Sequence, residues 1–288
     1  MSQSLLTDRL GPKGRRRTWI ASAVAMALIA AGVVVAVRRF ADNGQLEGEK
    51  WEPLTEWDVL RFLLGGLGNT LRVAVLAMVA ALAVGLVLAL GRLAPSRVLR
   101  WAAGAYVEFF RSLPLLLLLL FCVFGLRSRG VDISNYTALV LALSIYNAAI
   151  LAEVFRAGIL SIDRGQTEAA QAVGLSRGEV MRLVVLPQAL RRMAPAIVNQ
   201  LVTLLKDTSL GFFIQYEELL RRGQLSGTFD GNLLQAIVGV AVIYIAVNLA
   251  LSSFARWLEA RQRRRLGGGR LAVGGTEDLA VATLPTRR

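Results

Sequence analysis

Long uncharged runs alternate along this chain with shorter stretches crowded with arginine. A helix needs about 20 apolar residues to cross the hydrocarbon core of a bilayer. Six segments are read as spans on that basis: residues 18–37, 73–90, 106–126, 136–152, 193–216 and 233–254. The second extends backwards through residues 65–70. The third must begin near residue 106, because its uncharged part alone would reach only about 21 Å at 1.5 Å per residue. The fifth is interrupted by Lys206 and Asp207. The pattern predicts an all-α integral membrane protein.

Composition supports a membrane solvent: 55% of the 288 residues are hydrophobic and only 18% charged, with a mean hydropathy of +0.53. A soluble surface of this size needs more charge. The net charge of +13 invites a nucleic-acid reading, but its distribution argues otherwise. The hydrophilic stretches 1–17, 91–105, 156–192 and 256–288 hold 22 of the 33 lysines and arginines, whereas 38–61, 127–135 and 217–231 hold 8. That alternation is the positive-inside bias and predicts both termini in the cytoplasm, with no nucleic-acid partner. Histidine is absent, which excludes Ser-His-Asp and Cys-His catalysis and the usual zinc sites. Cys122 is the one cysteine and can make no internal disulfide. No metal or cofactor is expected.

The layout that follows is a basic cytoplasmic N-terminus (1–17), an N-terminal transmembrane helix (18–37), an extracellular linker (38–59) and a transmembrane domain (60–257). The domain carries a cytoplasmic loop (157–189), and a cytoplasmic tail follows (258–288). A cleaved signal peptide shares the basic start. The apolar run is longer than a usual signal core, however, and Arg38–Arg39 follow it without a small-residue cleavage site, so a retained helix is favoured. The tail is Arg-rich, then Gly-rich, and reads as an anionic-lipid anchor followed by disorder. The spans show no internal repeat, which argues against a secondary carrier built on inverted repeats.

The loop between the fourth and fifth spans reads as two short helices joined by a sharp turn. Thr167 is placed to cap the first, with Glu168 in its first turn. Gly174 sits where a left-handed terminator belongs. Ser176 and Glu179 have capping-box spacing for the second helix, which Pro187 should break before the fifth span. Glu168-Ala169-Ala170, then Gly174, then Val184-x-Leu186-Pro187 resembles the EAA loop of ABC importer permeases. Val184 stands where isoleucine is common. In that family the short helix docks on the ATP-binding subunit and passes its closure to the membrane helices, so the resemblance assigns coupling to Glu168, Ala169, Ala170, Gly174, Leu186 and Pro187.

The likeness covers about residues 51–258. The segments 106–114, 152–159, 165–168 and 205–210 look like the polar amino acid branch, with the extra first helix most like a glutamate permease. It implies a five-helix permease core plus one N-terminal helix. The implied partners are an ATP-binding subunit dimer, a second permease subunit (homologous or identical), an extracellular substrate-binding protein and an amino acid substrate, all in a cell-membrane bilayer. No G-x-x-x-x-G-K-[ST] phosphate loop occurs; Gly11 to Thr18 is the nearest run and lacks the lysine. ATP hydrolysis therefore falls to a separate subunit. An ion-coupled carrier or channel, and a scaffold without transport, are the competing classes.

Charges inside hydrocarbon are costly unless paired or facing a cavity. Glu108 and Arg111 are three residues apart and can pair on one helix face, as can Glu153 and Arg156. Lys206 and Asp207 are adjacent, so each needs a partner elsewhere. These six form the candidate translocation path; structural pairing competes for the first pair and interfacial snorkelling for the second. Asn147, Asn199, Gln200 and Asn248 either join helices or line the path.

Overall fold

The computed structural model describes residues 11–267, which form ten α-helices and no strand. The expectations for residues 1–10 and for the tail from 268 onward lie outside the described residues. Helix α1 (Pro12–Asp42) runs past both ends of the expected first span, and its apolar window is wholly unburied by the other described residues. Two short 3-10 turns, Gly48–Lys50 and Glu52–Thr55, follow it. The first of them and the chain just before it are tied to residues near the start of the last helix: the side-chain amides of Asn232 and Gln235 donate to the carbonyls of Lys50 and Gln45 at 3.0 and 2.6 Å.

The core is built on α2 (Trp57–Leu93) and α5 (Asn135–Leu160), which pack along each other. Lipid tails give apolar side chains no reason to leave them, so helix association in a membrane depends on close packing. Ala74, Ala77, Ala81 and Gly85 of α2 accordingly sit buried. They are matched on α5 by Ala138, Ala142, Ala148 and Ala152. A Cβ on Gly85 would lie 3.0 Å from both the Ala148 carbonyl oxygen and the Leu151 Cβ. Helix α5 starts where the Ser134 hydroxyl accepts the Thr137 amide at 3.1 Å.

Two expected spans come out differently. The third is not one straight helix: α3 (Arg97–Ser112) and α4 (Leu115–Leu120), the latter continued by a π-helical turn over Phe121–Gly125, are bent by 103°. Pro114 disfavours a helical conformation at Leu113, and Leu113 is extended with ψ 137°. Neither leg reaches across a bilayer alone; α3 measures about 24 Å at the standard rise. The helix at the expected fifth span begins earlier and ends earlier than expected, and it is not among the helices that are long and apolar enough to cross a membrane. Regular helix α8 (Leu186–Asp207) stops at the charged pair, and a 3-10 segment, Thr208–Ile214, completes the run. Lys206 and Asp207 therefore end a helix rather than interrupt one.

The stretch 217–231, expected to be a simple external loop, contains α9 (Leu219–Phe229), which returns against α2 and α10 (Leu233–Gly267). Gly227 allows this hairpin to close: a Cβ there would lie 2.7 Å from the Leu233 Cα. Glu218, fully buried, caps α9 by accepting the amides of Leu220 (2.9 Å) and Arg221 (2.8 Å) and the hydroxyl of Tyr244 (2.8 Å).

Candidate functional site

The loop after α5 folds as α6 (Arg164–Ala172), a tight turn and α7 (Arg177–Glu179). The cap of α6 is Asp163, whose carboxylate accepts the Gly165 amide at 2.7 Å. Thr167 lies inside the helix, which corrects the expected cap. The acidic Asp163 precedes it by one helical turn and reaches the free amides first. Gly174 ends α6 with φ +87°, its amide donating to Gln171 O at 2.9 Å and the Leu175 amide to Ala170 O at 3.2 Å. This is a complete Schellman termination.

Ser176 and Glu179 form the reciprocal capping box: the Glu179 amide meets Ser176 Oγ at 3.4 Å and the Ser176 amide meets Glu179 Oε2 at 2.9 Å. Hydrogen bonds from the Ser176 hydroxyl and then the Ser176 amide hold the Glu179 carboxyl below its ordinary range.

Pro187 does not break the following helix. The chain widens into a π-helical turn over Val180–Val185, in which the Leu186 amide reaches back to Met181 O, and continues into α8 with Pro187 in its first turn. The wider turn accommodates the missing proline donor, and a first-turn amide needs no partner within the helix.

Within the expected coupling set, Ala170 is buried and Leu186 half-buried, while Glu168, Ala169, Gly174 and Pro187 are exposed. Val173, absent from that set, is 78% exposed at the tip of the turn. Gln188 Nε2 donates to Gln166 Oε1 at 3.2 Å and Arg192 to Ser161 O at 2.5 Å, which ties the loop to the start of α8.

The two expected i,i+3 ion pairs become one cluster. Glu153 accepts from Arg156 Nε at 3.0 Å, pairs closely with Arg92, and lies 3.7 Å from Arg111. Glu108 does not pair with Arg111. It points away, 69% exposed, and comes only within 3.9 Å of Arg92. The reason is competition: Glu153 offers Arg111 a partner sheltered between α2, α3 and α5. Arg92 belonged to a loop in the sequence reading, and its one signal there was a position beside a predicted span end.

Lys206 is exposed along a cavity of about 560 Å³ between α8 and α10, lined also by Val202, Ser209, Tyr244, Asn248 and Ser252. Among the described residues Lys206 and Asp207 form no ion pair. Asn248 donates to Tyr244 O at 2.7 Å, while its buried Oδ1 has no partner among the described residues. Gln200 Nε2 donates to Asn147 Oδ1 at 2.7 Å and joins α8 to α5. No group of three or more metal-ligating side chains gathers among the described residues.

Residues 59–264 match the family described as the binding-protein-dependent transport system inner membrane component. The chain is 38% identical over 227 residues to the glutamate transport system permease protein GluD of Corynebacterium glutamicum, covering 77% of this chain and 82% of that protein. It is 41% identical over 206 residues to the probable glutamine ABC transporter permease protein GlnP of Bacillus subtilis, covering 70% and 94%. A crystal structure of an amino acid ABC transporter with histidines superposes with a TM-score of 0.68 at 31% identity, covering 72% of this chain and 97% of that one.

Proposed function

Because this chain belongs to the binding-protein-dependent transport system inner membrane component family, we propose that it carries glutamate, or its relatives glutamine and aspartate, across the cell membrane. The chain is a multi-pass membrane protein and an amino acid permease subunit of an ABC importer, a transport component rather than an enzyme. Glutamate in particular is supported by the likeness to the glutamate permease over 227 residues, more of the chain than the glutamine permease matches.

The working complex pairs this chain with a homologous or identical permease, two ATP-binding subunits and an extracellular binding protein. The observation that carries the coupling role is the exposed turn of α6, held rigid by an Asp163 cap at one end and a Schellman turn at Gly174 at the other. Such a knob can transmit a push only because it does not fray. Closure of the ATP-binding subunits would pass through α6 to α8, at whose far end Lys206 lines the cavity.

The experiment is uptake into proteoliposomes holding this chain, its permease partner and the ATP-binding subunits, with the binding protein added outside. Glutamate uptake should require ATP and every subunit, and should exceed arginine uptake. ATP-independent uptake by this chain alone would overturn the reading in favour of a carrier or channel. Preferential arginine uptake would move the substrate assignment only.

Orientation is the second proposal, resting on the arginine bias. With Cys122 replaced, a single cysteine at Asn43 should react with an impermeant maleimide in intact cells, and one at Gln171 should not. The reverse pattern inverts the topology.

A further inference from the structure

Helix α3 carries three different faces. Ala103 and Val107 are buried on the face that packs against its neighbours. Arg97, Arg100, Glu108 and Arg111 recur at helical spacing on a second face. Val98, Trp101, Ala105 and Phe109 form the third, and it stays uncovered: Val98 is 75% exposed, Trp101 77% and Phe109 58%. The helix also lies at one level of the molecule. Gly91 and Arg92, in the last turn of α2, face Ala103 and Glu108 respectively, so α3 crosses near the end of α2 on the coupling-loop side. An apolar stripe with tryptophan, edged by arginines, is the pattern of a helix resting in a membrane interface.

The charges on that edge do not balance. Arg92, Arg111 and Arg156 surround Glu153, and among the described residues Glu108 is the only other carboxylate within the cluster's ion pairs. Three guanidinium groups face two carboxylates, one of them mostly exposed. The outer members remain reachable, with side-chain exposures of 45% at Arg111 and 36% at Arg156. Arg100 does not add to the excess site, because it donates to the Ala94 and Pro95 carbonyls, both at 2.7 Å. A phosphate with an acyl chain attached complements both features at once.

We propose that the outer surface of α3 binds an anionic phospholipid, with the headgroup phosphate on Arg111 and Arg156 and an acyl chain along Trp101, Ala105 and Phe109. The site belongs to the leaflet on the coupling-loop side. The lipid supplies the missing negative charge beside Glu153 and covers the apolar stripe.

The test uses the full chain in phosphatidylcholine vesicles, with Trp19, Trp51, Trp57 and Trp257 changed to phenylalanine so that Trp101 alone fluoresces. Brominated phosphatidylglycerol should quench Trp101 about fivefold more effectively than brominated phosphatidylcholine at equal mole fraction. Arg111→Gln with Arg156→Gln should bring the ratio to about one. Arg156 also bonds Glu153, so Arg111→Gln alone guards against a misfolded double variant and should lower the ratio partway. Equal quenching by the two lipids overturns the proposal, as does a preference that survives Arg111→Gln unchanged. Absence of quenching by either would mean that a second copy of the chain covers this face. Loss of the preference in millimolar inorganic phosphate would reassign the arginines to a free anion.

Discussion

The Gly174→Asp chain is expected to insert and persist in the membrane, to lose its hold on the ATP-binding subunit, and to support no measurable uptake. The damage is conformational rather than steric. Among the described residues, its chain neighbours aside, no atom lies within 4 Å of the position a Cβ would take, but the backbone sits at φ +87°. A side chain in that region costs roughly 1 kcal/mol or more. The easiest relief is to unwind the turn, which releases the amides of Gly174 and Leu175 from Gln171 and Ala170 and swings α6 away from the helix begun at Ser176. Aspartate adds a negative charge at the C-terminal end of α6, where the helix dipole opposes it. Gly174→Asn separates the two effects, since it brings the same backbone cost as aspartate without the charge. It should retain partial binding and uptake. Co-purification with the ATP-binding subunit and ATP-driven uptake are the measurements. Normal uptake by a stably inserted Gly174→Asp chain would remove the coupling assignment.

Lys206→Met is expected to leave an assembled complex whose ATPase still responds to loaded binding protein but whose uptake falls at least about tenfold. A carboxylate-bearing substrate meets a steep barrier in low dielectric, and a cation that is not neutralised by a close partner lowers it. Lys206 fits that description: it borders the α8–α10 cavity and makes no ion pair among the described residues. Methionine keeps the length and the helix propensity. The structural loss is confined to the favourable placement of a cation at a helix C-terminus, worth about 0.3–1 kcal/mol. Failure to assemble would make Lys206 a structural residue, and unchanged uptake would take it off the path. Asp207, half-buried and adjacent, makes a second variant: Asp207→Asn should weaken uptake less if the lysine alone meets the substrate carboxylate.

The amino-acid sequence by itself determined the class of solvent, the apolar runs, and the features whose partners lie within a few residues. The capping box at Ser176 and Glu179 and the left-handed Gly174 were legible, because each is decided by bonds and sterics inside a single turn. The effect of the prolines was not. Pro114 bends by 103° what reads as one continuous span, and Pro187 enters a helix through a wider turn instead of ending one. A proline removes one donor wherever it stands; what the chain does with that freedom depends on neighbours the sequence does not display.

Only the tertiary structure decided which charges meet. Arg92 and Glu153 stand 61 residues apart, and the three-residue spacing of Glu108 and Arg111 pointed to a pair that the fold replaced with a better one across helices. Helix α9 was hidden for the same reason. With two arginines and glycines at 223 and 227 it has little apolar stripe of its own, yet those glycines let α10 close on it and Glu218 cap it from within. Periodicity reports how a segment meets its solvent. Pairing inside a membrane is settled by which helix ends the packing of small residues on α2 and α5 brings within reach of one another.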